Sequence, residues 1–320
     1  MSVFSHCGWA CLLMLTAFAA QAQGKAKSLP PIFAATPRHL ARATVVASFP
    51  PKTFLENLTV EPSGQLLVTS LDEGLIYRIA PDGQKAVFAR LKAKIAGIAP
   101  YGSQEYLVTA WDEQGAPAVY LVDARRAVRK LATIPGARFL NGLTALTARQ
   151  YLIADSYRGC IWLFDVPTRR ATVWLASPLL ARADTLNPTP GVNGLKLRQG
   201  VLYASNTQRQ LLLKIPVRQL RAGQPAVFVK AVNIDDFAFD KVGTLYGTTH
   251  IYNSVVAISP AGRVSVIAEG REGVSGSTAL AFGRRPADAG AVYVITNGGM
   301  SLPPPSGIEA AKVVRLTLAP

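Results

Sequence analysis

Cysteine is nearly missing from this chain. Three occur in 320 residues, and two of them, Cys7 and Cys11, fall within the first eleven positions. Cys160 stands alone between Gly159 and Ile161 in an apolar run. It has no partner for an internal disulfide and reads as a small buried hydrophobe rather than a nucleophile. Histidine is equally scarce, with only His39 and His250 beyond the N-terminal segment, so a centre ligated by several imidazoles or thiolates is not available. Charged residues are few, at 17%, against 49% hydrophobic. That balance excludes disorder and supplies a large core. The longest N-terminal apolar run, Cys11 to Ala20, is too short to span a bilayer as a helix.

What that run does fit is an export signal. It is followed by Ala20-Gln21-Ala22 and then by polar sequence, which places a cleavage site after Ala22 and predicts a periplasmic or extracellular protein without a membrane span once residues 1–22 are removed. Residues 23–42, with Pro30-Pro31 and Pro37, read as an extended lead-in. The net charge is +15, yet the basic residues come as scattered pairs (Arg125-Arg126, Arg169-Arg170, Arg284-Arg285) without interleaved aromatics. A solvated basic rim accounts for them, and no dedicated nucleic-acid groove is indicated.

The remaining sequence is dominated by a repeat. Short β-rich runs begin at Gln65, Glu105, Gln150, Val201, Thr244 and Ala291, with steps of 40, 45, 51, 43 and 47 residues. Each is followed by a second apolar run, most by a third, and each is preceded by another strand-like segment. Four short strands per 40–50 residues is the spacing of a β-propeller blade, so the expectation is an all-β, six-bladed propeller of four-stranded blades over residues 43–320. The sixth unit lacks its last strand, and Ala43 to Phe49 (ATVVASF) is an unpaired strand of the right type. Placed in the sixth blade it closes the ring and leaves no open edge.

Rotational symmetry gathers equivalent positions on the axis. Aligning the innermost strands on their apolar pairs brings Glu56, Ala96, Asn141, Asn193, Asp235 and Thr278 to one phase. The apolar members of these strands cannot share the channel with them, so the strand mouths must twist there. Two carboxylates and two amides form a hard oxygen set of charge about −2, suited to one divalent cation, Ca²⁺ before Mg²⁺ or Mn²⁺, with Zn²⁺ also possible. The Asn-Gly pairs at 141–142 and 193–194 are equally a common turn dipeptide.

Several segments carry a family likeness: Leu55-Glu56-Asn57-Leu58, Asn141-Gly142-Leu143, Val192-Asn193-Gly194-Leu195, Ile234-Asp235-Asp236-Phe237-Ala238-Phe239-Asp240, and blade runs such as Tyr151 to Ser156 and Gly159 to Trp162. With them, residues 43–318 resemble the senescence marker protein / gluconolactonase / luciferin-regenerating enzyme family. The resemblance implies a six-bladed propeller holding one divalent cation through Glu56, Asn141, Asn193 and Asp235. It also implies hydrolysis of a lactone or related ester with Asp235 as general base. Two departures stand out: Phe139 occupies the place of the family's arginine, with Arg138 one position further away, and Asn57-Leu58 follows Glu56 where the family has Gly-Pro.

The chemistry that follows is that of a small-molecule hydrolase acting as a monomer. A cation stabilises the oxyanion and a carboxylate accepts the proton of water. Arg138, Asp155, Tyr157, Asn206 and His250 are the candidate substrate contacts, with Asn297 beside them, and Asp236 should point away and be structural. The insertion from Ser177 to Pro190 and the Pro-rich stretch from Ser301 to Gly307 are candidate borders of the site. The alternative is a non-catalytic propeller that binds an acidic partner through its basic rim or channel mouth.

Overall fold

The computed structural model describes residues 36–318. The expected export signal and most of the lead-in lie outside the described residues. Six sheets follow one another along the chain, each formed by consecutive antiparallel strands. Their innermost strands are Leu55–Val60, Ala93–Pro100, Leu140–Ala145, Val192–Arg198, Phe237–Phe239 and Ser277–Phe282, opening blades 1 to 6 in turn. Blade 4 carries an extra two-residue strand, Arg221–Ala222. Each innermost strand packs beside the next, and that of blade 6 returns to that of blade 1, so the sheets close a ring. In the sixth sheet the outermost strand is Arg42–Pro51, paired antiparallel with Ala310–Thr317. Among the described residues no helix is long and apolar enough to cross a membrane.

The alternating strand pattern sends side chains to both faces of each blade, and neighbouring blades bury them against each other. The buried apolar side chains therefore form six clusters, one between each adjacent pair of blades. Cys160 belongs to the cluster between blades 2 and 3, and burial pushes its thiol up to about 12, with Asp155 adding to the effect. It is an inert core residue, as its apolar neighbours in sequence indicate.

The twist expected at the strand mouths takes the form of β-bulges. The innermost strand slips register against its neighbour between Leu55 and Leu58, Ile95 and Ile98, Leu140 and Leu143, Val192 and Leu195, and Ser277 and Ala279. An extra residue in one strand bends it and turns its side chain out of the alternation. The bulged residues include Glu56, Asn141 and Asn193, which is how polar groups reach the axis from strands whose later residues build the core.

Hydroxyls hold these bulges. Thr69 receives the Asn57 N–H at 2.9 Å and donates to the Ala96 carbonyl of the next blade at 2.8 Å. Thr109 does the same for Gly97 and Asn141, both at 2.8 Å. Ser205 bridges Gly194 and Asp235, each at 2.9 Å, and Thr248 bridges Asp236 at 3.2 Å and Thr278 at 2.8 Å. The ring is completed by Thr278, which donates to the Leu55 carbonyl at 2.7 Å. Gly142 and Gly194 lie within strands and not in turns. A Cβ on Gly142 would sit 2.7 Å from the Asn193 carbonyl, and one on Gly194 would sit 2.8 Å from that of Asp235. Close approach of the next blade, not turn geometry, explains the Asn-Gly pairs.

Replacing Thr109 by valine keeps the shape of the side chain and strips its hydroxyl. The Gly97 N–H and the Asn141 carbonyl would lose their buried partner, at a cost of about 1–3 kcal/mol. Urea unfolding should show a lower midpoint with an unchanged slope; an unchanged midpoint would remove the hydroxyl from the account of the ring.

Candidate functional site

Glu56, Asn141, Asn193 and Asp235 are all brought to the axis and buried, at 8%, 2%, 3% and 5% exposure. Asp235 precedes the innermost strand of blade 5 and is fixed by its backbone N–H to the Thr248 carbonyl at 2.8 Å. Its side chain is the centre of a polar network. One carboxylate oxygen accepts from the Asn193 amide, and the other lies 3.0 Å from Nδ1 of His250. The Asn193 amide nitrogen also donates to Thr207 at 3.1 Å, and the Thr207 hydroxyl donates to the Ile234 carbonyl at 2.9 Å.

The far nitrogen of His250 fixes its tautomer. Nε2 lies 2.7 Å from Nδ2 of Asn297, whose Oδ1 accepts the Gly299 and Met300 N–H groups, each at 3.1 Å. The amide nitrogen therefore faces the imidazole and can only donate, so Nε2 accepts and the ring proton sits on Nδ1, directed at Asp235. Ser301 Oγ lies 3.2 Å from the same Nε2, and the ring of Phe54 meets the imidazole edge-on at 5.6 Å. His250 enters the site from a short 3₁₀ turn after the second strand of blade 5.

Glu56 contrasts with Asp235: among the described residues its carboxylate has no hydrogen-bonding or ion-pair partner. Burial first, then the nearby Asp235, Asp236 and Asp72, push it well above the usual carboxylate range. Asn141 has its Nδ2 buried without a partner. A buried carboxylate without a partner beside a second carboxylate has the oxygen chemistry of a hard-cation site, which Asn141 would join through Oδ1 and not through its unpartnered Nδ2. No group of three or more His, Cys, Asp and Glu side chains among the described residues is arranged to hold a metal on its own, so any such site depends on the two amides.

A cavity of about 250 Å³ opens over this set. It is bordered by Glu56, Asn193, Asp235, His250 and Ser301, and by Phe54, Phe139 and Pro188-Thr189-Pro190. Both proline-containing segments thus reach the same mouth. The segment 177–190 is pinned: Asn206 donates to the Leu179 and Ala181 carbonyls at 2.9 and 3.0 Å, and Gln208 receives the Ala183 and Asp184 N–H groups at 2.6 and 2.9 Å. It forms a wall.

Several sequence candidates for substrate contact serve other ends. The Asp155 carboxylate is consumed by the backbone of Arg138, Phe139 and Arg158 and by the Trp162 indole, at 2.9–3.1 Å. Asn206 spends its amide on the wall, and Arg138 is exposed and outside the cavity lining. Tyr157 stands behind the wall, its hydroxyl donating to the Pro188 carbonyl at 2.9 Å. Asp236 pairs with Lys196 at 2.6 Å, and both border the opposite mouth of the channel. Sequence reasoning missed Thr207, Ser301 and Phe54; a hydroxyl or ring in a loop carries no repeat phase by which to find it.

A carboxyl held protonated more tightly in the native state than in the unfolded chain adds stability below its ordinary range, about 4.3 for glutamate. That contribution is lost as the pH rises toward the raised native value. In chelator, the melting temperature of the wild type relative to Glu56→Gln should therefore fall as the pH rises from about 4 to 7. If calcium binds through this set, a hundredfold excess over its Kd would add about 2.7 kcal/mol, a shift of several degrees that Glu56→Gln should largely abolish. Equal calcium shifts in both proteins would remove Glu56 from the cation set.

No protein-family model matches the chain. A curated protein described as a "Putative hetero-Diels-Alderase" from a Phoma species is 25% identical over 306 residues, covering 78% of this chain and 85% of its own. Solved structures share the fold at low identity. The calcium-binding protein regucalcin of Agrobacterium tumefaciens superposes with a TM-score of 0.69 at 16% identity over 88% of this chain and 95% of its own. A gluconolactonase of Xanthomonas campestris gives 0.67 at 15%, over 87% and 90%. A luciferin-regenerating enzyme gives 0.65 at 13%, over 84% and 92%. The structural neighbours of this six-bladed propeller thus include luciferin-regenerating, gluconolactonase and regucalcin propellers.

Proposed function

We propose that this chain is an exported hydrolase of a lactone or related ester, dependent on one divalent cation. The observation that carries the reading is the pairing at the axis of a hydrogen-bonded Asp235–His250 unit with the unpartnered, buried Glu56 carboxylate, at the floor of a small cavity. The fold shared with a gluconolactonase and with a calcium-binding regucalcin supports it.

Glu56, Asn141, Asn193 and Asp235 would hold the cation, Ca²⁺ by the chemistry of the set. When bound there it would supply electrophilic stabilisation of the ester carbonyl oxygen as charge develops. The protein's own groups handle the proton. Asp235 accepts it from the attacking water as the new carbon–oxygen bond forms, using a lone pair not engaged by Asn193 or His250. Each carboxylate oxygen carries two lone pairs, so the pairing with His250 leaves capacity for this step. The proton then returns to the ring oxygen as its bond to the acyl carbon breaks. His250, with Nδ1–H aimed at Asp235 and Nε2 tethered by Asn297, fixes the orientation of the base.

The binding alternative finds less support at the axis. No lysine or arginine borders the cavity, and the Lys196 ammonium at the other mouth is already paired with Asp236. An acidic partner would have to use the rim.

Asp235→Asn is nearly isosteric and removes the base. It should lower kcat/KM for a hydrolysed lactone by about 10²–10⁴-fold, with the fold retained by circular dichroism. Measured on the same sample, wild-type protein dialysed against calcium should retain close to one cation per chain. A folded protein that hydrolyses no lactone or ester in a broad panel would sink the enzymatic reading, and one that retains no cation would sink the metal assignment.

A further inference from the structure

The walls of the cavity differ in character from its floor, and the difference bears on what it binds. This inference rests on the hydrolase reading and goes beyond it to the class of substrate. Above Glu56, Asn193, Asp235 and His250 the lining is mostly apolar, with Phe54, Leu71, Phe139, Pro188, Pro190 and Ile251 beside Thr189 and Ser301. Phe139 is the centre of an aromatic stack: the Trp111 ring lies 4.3 Å from it on one side and Tyr157 meets it edge-on at 5.0 Å on the other. Arg182 caps Tyr157 at 4.1 Å, and the Tyr157 hydroxyl holds the Pro188 carbonyl at 2.9 Å. On the opposite side Phe54 is braced against His250. With Gln208 and Asn206 fixing the segment behind Pro188, this apolar surface is preformed and loses little freedom on binding.

Apart from the Glu56 carboxylate, which the cation would engage, the polar side chains near the floor are largely committed to one another. Thr207 donates to Ile234 and accepts from Asn193; the Asn193 amide nitrogen serves Thr207 and Asp235; both nitrogens of His250 are engaged. The arginine nearest in sequence, Arg138, is exposed and outside the lining. A polyhydroxylated substrate would place most of its hydroxyls against phenyl and proline rings, with few side chains besides Ser301, Thr189 and the Glu56 carboxylate to receive them. A hydroxyl buried without a partner costs free energy, and an apolar pocket rejects a ligand that adds one by about a hundredfold.

We infer that the cavity takes an apolar lactone or ester, with an aryl or alkyl body lying against Phe139 and the Pro188–Pro190 wall, and that it discriminates against sugar lactones. The ester carbonyl faces the polar floor while the hydrocarbon part fills the space between Phe139 and Phe54. About 250 Å³ suits a small ring system.

The test compares dihydrocoumarin with glucono-δ-lactone on the calcium-loaded protein, following both hydrolysis and the fluorescence of Trp111, with Trp111→Phe identifying its signal. The expected result is a kcat/KM at least about a hundredfold higher for dihydrocoumarin, the scale on which a site separates ligands by one mismatched polar group. Phe139→Ser should cut that preference about tenfold or more by raising KM for dihydrocoumarin, whereas Phe139→Leu should retain most of it. A kcat/KM for glucono-δ-lactone equal to or above that for dihydrocoumarin overturns the inference and leaves the hydrolase reading standing. So does a preference unchanged in folded Phe139→Ser. If neither lactone is hydrolysed, the hydrolase reading is what fails, and the Trp111 titration decides the cavity's preference. Tighter binding of dihydrocoumarin upholds the inference, while tighter binding of glucono-δ-lactone, or binding of neither, overturns it.

Discussion

The arrangement depends on a hydroxyl that serves two blades at once. Thr69, Thr109, Ser205 and Thr248 each accept an N–H from the bulge of their own innermost strand or, in blade 5, from the residue entering it, and donate to the innermost strand of the next blade or its entry. A bulge leaves backbone groups unpaired inside the protein, and each unpaired group costs about 1–3 kcal/mol. The hydroxyl removes that cost while fixing the angular position of the neighbouring blade. Because the accepting carbonyls belong to Ala96, Asn141, Asp235 and Thr278, the bonds that close the ring also place the axial residues. Fold and site share the same atoms.

This coupling explains what could be read in advance. The period of 40–51 residues and the phase of Glu56, Asn141, Asn193 and Asp235 are properties of a repeat, and a repeat is visible in one sequence. A bulge is not, because it is a mismatch between two strands and leaves no signature in either. The hydroxyls did hold a signal. Thr69, Thr109, Ser205 and Thr248 occupy one position of the second strands, and Ala154 and Ile295 occupy it in blades 3 and 6. Four small hydroxyl residues at one phase of otherwise apolar strands mark a buried polar contact.

The strand-end candidates have partners in the chain for a related reason. Asp155 and Asn206 each end a second strand, the place where a propeller offers side chains to a ligand. Asn297, one residue beyond the corresponding strand of blade 6, does border the site through His250. Asp155 instead accepts from the chain entering its own blade, and Asn206 holds the wall. Sequence shows a polar residue at a strand end; whether its partner is backbone or substrate depends on the loops that fold over it. Loop paths are set by single contacts such as that of Gln208 with Ala183 and not by period.

The charge balance at the axis follows from the same division of faces. Asp235 and Asp236 are adjacent, and their like charges would repel if both faced the cavity. The turn before the blade 5 strand separates them, sending Asp235 to His250 and Asp236 to the other mouth, where Lys196 neutralises it. His250, tethered through Nε2 by Asn297, orients Asp235. What faces the cavity is then the pair Glu56 and Asp235, about −2 when both are ionised, with no lysine or arginine in the lining. In a chain of net charge +15, such a local reversal of sign concentrates cations at one point on the axis. The largely apolar walls above it lower the local polarity and strengthen the charge interactions below.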